Sequence, residues 1–454
     1  MGGTGPVAYL LLAARAATAA PASPQDPPPS MPPPPPDSLA SSEVPVHGSF
    51  SLRYRLRHAS HSADQDAYGL LDLDVGDAGT TGFSGHLLVR GAADLDGHTD
   101  ASGGYVFDSL EDTYGHRVRG VVYQAYADYR GDGTIAQARV GRQLVWDTPV
   151  ATYFDGLRID GRAMGSLDLK LGAYGGVPSH LYESSPRGDL ILGAFGEARP
   201  WRSTRTRLDW MQVEDERLFE SRENSLVRAA WWQQVGDEVD LFGNFTWLDW
   251  RGRDLDVRGS WYRGESDLVV QLDYHELLTT QRSKALEFDP FFTIAGESRP
   301  YRELRASALK GFGDHVDLTI GADVRRLADH ADVGQFNREF ERWFVEPALV
   351  DWPAEGMTIS VTGELWDSDA ERIETAGAEL SQAFTKETKA RLGTAYALYE
   401  YDYYASAERD HVRAWYVGVD SRCSRQLRLR GSYRYEVDAF AHHHTLQVAA
   451  TWTF

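Results

Sequence analysis

The chain holds a single cysteine, Cys423, in 454 residues. A lone thiol excludes a disulfide scaffold, a CxxC zinc knuckle, a redox pair and a CxxCH haem-attachment site. Lysine is almost missing as well, with Lys170, Lys284, Lys310, Lys386 and Lys389 as its five occurrences, so positive charge is carried by arginine. Positive charge is itself in deficit: 46 Lys and Arg face 67 Asp and Glu, a net charge of −21. A chain this acidic is a poor candidate for nucleic-acid binding. Mean hydropathy is −0.43, and no uncharged apolar run of roughly 18 residues exists, which excludes a membrane-spanning helix. GxSxG elbows, HExxH helices and phosphate loops are absent, and no nucleophile stands at a recognisable spacing from a base, so enzymatic activity is not expected.

Glycine and aromatics are abundant, with 43 Gly and 12% Phe, Trp and Tyr. Residues 1–20 read as an export signal, in which Val7 to Ala14 form the apolar core and Ala17-Thr18-Ala19 the small residues of a cleavage site. Residues 21–46 carry Pro27-Pro28-Pro29 and Pro32 to Pro36, a run that cannot join a sheet and reads as an extended periplasmic tether.

From residue 47 to residue 454 the pattern changes to period-two alternation. In Phe50-Ser51-Leu52-Arg53-Tyr54-Arg55-Leu56-Arg57 the apolar side chains take one face of a strand and the arginines the other. The same signature returns in Leu167-Asp168-Leu169-Lys170-Leu171, Val239 to Trp247, Leu255 to Trp261, Val316 to Val324 and Leu427 to Tyr435. Counting such segments gives about 22 strands of roughly 10 to 13 residues, the length a tilted strand needs to cross a bilayer, with 18 to 20 strands as the alternative count. Tight links at Gly131-Asp132-Gly133, Gly161 to Gly165, Gly236-Asp237, Gly264-Glu265-Ser266 and Gly313-Asp314 are interleaved with longer ones around 94–117, 175–188, 277–300 and 402–411. Short turns on one side and long loops on the other mark an outer-membrane barrel with its short side periplasmic, and an even strand number places both termini there. A soluble β-sandwich or propeller also alternates. The barrel is favoured because each apolar face is continuous and ends in aromatics (Trp210, Trp247, Trp261, Tyr274, Tyr433, Tyr435) at interfacial girdle positions, while the opposite face carries mid-strand charge. The fold expected is all-β: one antiparallel transmembrane barrel over 47–454, in the outer membrane of a Gram-negative bacterium, among its lipid and lipopolysaccharide.

The last strand, Leu446 to Phe454, ends in Phe454 with Trp452 on the same face. It resembles the assembly signal that barrel-assembly machinery reads in outer-membrane barrels. A second stretch, Val140-Gly141-Arg142-Gln143 followed by Tyr153-Phe154-Asp155-Gly156-Leu157-Arg158, resembles the alginate-export and related porin-like families. The resemblance implies a porin-like pore, in a group whose members typically have fewer strands than are counted here. By parity Arg139, Gln143, Arg158 and Asp160 face the lumen, whereas Arg142 falls on the lipid side near a strand end, where it can snorkel or fold over the rim.

Arg53, Arg55 and Arg57 on the first strand and Arg428, Arg430 and Arg434 near the last form two ladders that closure brings together, and Arg205 and Arg207 add to them. Guanidinium groups along a low-dielectric passage attract anions and hold carboxylate or phosphate bidentately. They equally pair with Asp72, Asp74, Asp168, Asp240, Asp256 and Asp317 to fill a polar interior, and both readings stay open. Asp94, Asp96 and Asp100 resemble a calcium loop without its bidentate Glu, so a solvated acidic loop is the plainer reading. Adjacent His442, His443 and His444 cannot all face one metal ion without a turn. No cofactor of its own is expected. A barrel of about 22 strands encloses a wide lumen; loops 94–117 and 277–300 folding inward would narrow it to a channel for polar or anionic solutes. A partner inside it would make the chain the sheath of a porin-cytochrome conduit, with haem supplied by a multihaem cytochrome.

Overall fold

The computed structural model describes residues 44–59, 62–77, 79–96, 117–179, 189–217, 220–280, 298–334, 337–368, 371–402 and 407–454. The leader and nearly all of the tether expected before the barrel lie outside the described residues, and Val46, the tether's last position, already belongs to the first strand. The alternating segments form β1 Val46–Ala59, β2 Ser62–Val75, β3 Gly82–Asp94, β4 Val118–Arg130, β5 Ile135–Val145, β6 Thr152–Gly161, β7 Lys170–Pro178 and β8 Leu190–Ala198. They continue as β9 Thr204–Arg217, β10 Glu220–Val235, β11 Val239–Leu248, β12 Arg251–Arg263, β13 Leu268–Leu277, β14 Tyr301–Phe312 and β15 Val316–Leu327. The series ends with β16 Phe340–Val350, β17 Met357–Ser368, β18 Glu371–Ala383, β19 Thr388–Asp402, β20 Ala407–Arg422, β21 Leu427–Val437 and β22 His442–Thr453.

All 22 strands belong to one sheet, each antiparallel to its sequence neighbours. The sheet closes because β22 pairs with β1, from Ser49 opposite Thr453 to Ala59 opposite His443. Gly48 and Phe454 complete that seam by exchanging two backbone hydrogen bonds of 3.0 Å. Closure leaves no sheet edge unpaired.

Alternation then assigns an outer and an inner face to every strand. Leu52, Leu208, Ile320 and Leu392 stand on the outer face and are half or more exposed. Trp210, Trp247, Trp261, Tyr274, Tyr433 and Tyr435 share the parity of that face, as their girdle role requires. Most mid-strand charge takes the inner face, while a few ion pairs such as Arg142–Asp155 and Arg302–Glu276 stand on the outer one. With an even strand number both described chain ends lie at one end of the barrel, the terminal end. The tight Gly-containing links 131–134, 162–169, 236–238, 264–267 and 313–315 are all there, and the long connections 95–117, 179–189 and 278–300 are all at the far end.

Three expected boundaries move. Asp402 closes β19 and Ala407 to His411 open β20, so the link there is 403–406 and not a long one; Gly175 to Pro178 belong to β7. Leu167, Asp168 and Leu169 lie in a turn and not in a strand, because Met164 and Leu169 exchange backbone hydrogen bonds of 2.9 Å across it and Asp168 adopts φ +48°. Asp168 therefore leaves the set of inner-wall acids.

Deleting Phe454 removes the two terminal hydrogen bonds of the seam, about 2 kcal/mol of local stability. The expected outcome is a reduced folded band in heat-modifiable gel migration; an unchanged folded fraction contradicts the role given to the seam.

Candidate functional site

The GRQ and FDG residues are register partners. Gly141 faces Gly156, Arg142 faces Asp155 and Gln143 faces Phe154 across β5 and β6. Arg142 lies on the outer face, as its parity predicts, but it neither snorkels nor folds over the rim: it holds Asp155 bidentately, with Nε and Nη2 each 2.7 Å from a carboxylate oxygen. Its Nη1 donates to the Val122 carbonyl at 3.1 Å. A bidentate pair of this kind cancels charge on a face that is otherwise apolar. Gln143 is buried and donates to the Gly156 carbonyl at 3.2 Å. Gly141 adopts φ +123°, and a Cβ there would stand 2.3 Å from the Ala125 carbonyl oxygen, so only glycine fits. The motif is thus architectural: it fixes how β5 meets β6 and β4.

What it positions is the link 146–151, which turns into the barrel. Inner-face side chains there are apolar where charge prevails elsewhere: Val145, Phe154, Tyr174, Ile191, Met211, Val213 and Leu226 form a buried cluster, with Val150 and Leu248 against it. The inner wall makes room with glycine. The Tyr174 ring lies over Gly193 and the Phe195 ring over Gly172, each occupying the space a Cβ would need.

Beside this shelf the inner arginines converge. Asp147 receives Arg158 Nη1 and Nη2 at 3.0 and 3.1 Å and Arg207 Nη1 at 2.8 Å. Arg158 also holds Asp160 (2.9 and 3.2 Å), and Arg207 holds Asp209 (2.8 Å) while its guanidinium stacks 3.8 Å from the centre of Phe195. Arg228 donates to the Thr148 carbonyl at 2.7 Å. Burial pushes the Asp147 carboxyl up, but hydrogen bonds from Arg158 and the charges of Arg158 and Arg207 overcome it and hold its pKa at about 2. Asp147 was not among the residues singled out from sequence. The available signal was negative: Val145, Phe154, Ile191, Met211 and Leu226 break the polar parity of the inner face.

The two ladders do meet at the seam. Arg430 and Arg53 flank Ala449 from either side, and Arg434 and Arg57 flank Thr445. Their states differ. Arg55 and Arg57 are buried against Asp66 and Asp64, Arg139 lies 3.4 Å from Asp128 and 4.0 Å over Tyr126, and Arg434 contacts Glu436 and Glu400. Arg53 is exposed on the inner face, as are Arg428 and Arg430, which share Asp420 at 2.7 and 3.4 Å. Arg205 stacks 3.8 Å over Trp232. The neutralising acids are largely not those expected: Asp72 and Asp74 contact His86, and Asp256 contacts His275 at 2.7 Å, so imidazole replaces arginine there.

Of the calcium-loop residues, Asp94 is buried and accepts from the Asp96 amide at 3.1 Å, and Asp100 lies outside the described residues. The histidine run splits by strand parity. His442 and His444 point outward to Tyr435 and Tyr433, at 2.8 and 2.7 Å, while His443 points inward to Asp438 at 2.9 Å.

No family model and no curated protein matches the chain. Solved structures resemble it in fold. The copper transporter OprC aligns at 10% identity over 91% of this chain and 81% of its own, with a TM-score of 0.50. A variant of the ferric enterobactin receptor PfeA of Pseudomonas aeruginosa gives 10%, 91%, 81% and 0.49. OpdK from Pseudomonas aeruginosa gives 14% identity over 90% of this chain and 99% of that one, with a TM-score of 0.41. At these identities the likeness is one of fold: a single barrel running through nearly the whole described chain.

Because the Asp147 pKa is depressed in the folded state, its contribution to stability is present above the ordinary carboxylate value of 3.8 and is lost as pH falls through about 2. Asp147→Asn is therefore expected to lower the melting temperature of the detergent-solubilised barrel at neutral pH, and the deficit should persist to about pH 4 and close only toward pH 2. A deficit that disappears near pH 6 contradicts the clamp.

Proposed function

We propose that the protein is a channel of a Gram-negative outer membrane, passing polar solutes with a preference for anions. The observation that carries this reading is a cationic sector on the inner wall. Arg53 of β1, Lys389 and Arg391 of β19, and Arg428 and Arg430 of β21 all face inward there, set against Asp420 and Glu379. The Arg428 and Arg430 side chains stay 49% and 56% exposed although both contact Asp420, so their guanidinium groups remain open to a passing solute. Fixed cations on a passage with low-dielectric walls raise the local anion concentration.

The continuous outer belt of apolar side chains suits lipid and, on the outer leaflet, lipopolysaccharide. Short links at the terminal end and long connections at the far end suit both termini in the periplasm. The final strand, with Trp452 and Phe454 outward, suits recognition by barrel-assembly machinery. The wide 22-strand circumference favours a second reading, in which the barrel sheathes a multihaem cytochrome and has no haem of its own.

Planar-bilayer recording with a salt gradient tests the first reading. In the double variant Arg428→Glu and Arg430→Glu the anion-to-cation permeability ratio should fall by about twofold or more, as reversal of fixed charge in a passage requires. Unchanged selectivity removes the role given to these arginines. A barrel that carries no current alone and purifies with a haem absorbance replaces the channel with the sheath.

A further inference from the structure

Inner-wall acids pair with arginine at many positions and with histidine at others, among them Asp256 with His275 and the two carboxylates Asp72 and Asp74 with the single His86. Asp64, Asp66, Asp128, Asp160, Asp209 and Asp420 each lie within 4.0 Å of an arginine. Asp72 and Asp74 of β2 do not; among the described residues their ionic partner is His86 of β3. Register places Asp74 directly opposite His86 on one side and opposite His47 of β1 on the other, so an imidazole, a carboxylate and an imidazole stand in a row on adjacent strands. Asp72 stands two residues along the same inner face. His86 Nδ1 is 2.8 Å from Asp74 Oδ1 and 3.8 Å from Asp72 Oδ1, and donor atoms of all three residues lie within 4.8 Å of one another. The His86 ring packs against Tyr126, with ring centres 5.1 Å apart, which restricts its rotation. Arg139, which also packs on Tyr126, pairs with Asp128.

We propose that Asp72, Asp74 and His86 hold a divalent first-row transition-metal ion on the inner wall near the terminal end, with His47 able to swing in as a fourth ligand. The donor set argues for this class of ion. Two carboxylates supply the negative charge that a dication balances, and an imidazole nitrogen selects zinc, copper, nickel or iron over magnesium and calcium. Metal–ligand bonds of about 2.0–2.2 Å put donor atoms about 3.5 Å apart around a tetrahedral ion. The observed spacing approaches that value; without metal the His86 Nδ1–H donates to Asp74, and on binding that proton is released to water or replaced by one on Nε2, leaving the Nδ1 lone pair for the ion. The site faces the lumen, so ions reach it from the passage.

Zn2+ is the probe. It is titrated calorimetrically into the full-length, tag-free barrel in detergent, with His442→Ala and His444→Ala as the parent background so that outward imidazoles contribute nothing. One saturable site is expected. Its affinity should fall about tenfold or more in His86→Ala and in Asp74→Asn, as loss of a ligand requires, and stay unchanged in His275→Ala, whose imidazole pairs with Asp256 on β12 and β13, away from this site. Heat-modifiable migration checks folding, and His86→Gln replaces any His86 variant that does not fold. The proposal is overturned if the folded parent shows no saturable uptake, if His86 variants bind as the parent does, or if Ca2+ competes with equal strength, which would mark an acidic patch only. The measurement is made at equilibrium without current, so its result is separate from that of the channel reading.

Discussion

Everything in this molecule depends on the seam between β1 and β22. In hydrocarbon a backbone amide or carbonyl without a partner costs several kcal/mol, so a sheet can span a membrane only when its first and last strands meet. The register from Ser49 opposite Thr453 to Ala59 opposite His443 achieves that, with the Gly48–Phe454 exchange as its last step. The seam also sets the sign of every side chain. A slip of one residue would turn Arg53 and Arg55 toward lipid and Leu52 and Tyr54 toward the interior. The pairing of arginines with acids inside, and of Leu and Trp with lipid outside, follows from that single alignment.

With most mid-strand charge on the inner wall, the wall divides into sectors. Between β5 and β11 the inner face carries an apolar cluster and the inward link 146–151, and there Arg158 and Arg207 are held by carboxylates and Arg207 stacks on Phe195. Buried ions of this kind survive because each has opposite charge within hydrogen-bond reach. From β19 to β1 the wall has no such cluster among the described residues, and Arg53, Arg428 and Arg430 remain exposed. Arginine thus does two jobs in one barrel: Arg158, Arg207, Arg55 and Arg57 anchor structure against acids, while Arg53, Arg428 and Arg430 face the lumen.

The GRQ and FDG motif belongs to the first job. Its outward Arg142–Asp155 pair, its inward Gln143 and Phe154 and its Gly141–Gly156 crossing point are one strand junction read from two sides. Sequence parity placed Arg139, Arg158 and Asp160 inward and Arg142 outward, and the structure agrees. Parity could not name partners. Asp155 as the counter-ion of Arg142, Asp147 as that of Arg158 and Arg207, and histidines as the neighbours of Asp72, Asp74 and Asp256 all depend on strands meeting in register.

Period-two alternation is a local property of the chain, so strand number, inner and outer faces, girdle aromatics and the even count that brings both termini to one end were legible without coordinates. The turn at Leu167 to Leu169 was misread because a hairpin-like turn satisfies its hydrogen bonds over a few residues and leaves the alternation intact. Which charges remain open was decided by how the strands meet in register. Arg57 and Arg53 are chemically identical and share a strand face, yet one is buried against Asp64 and the other faces the lumen, since burial is a property of what the neighbouring strands bring alongside.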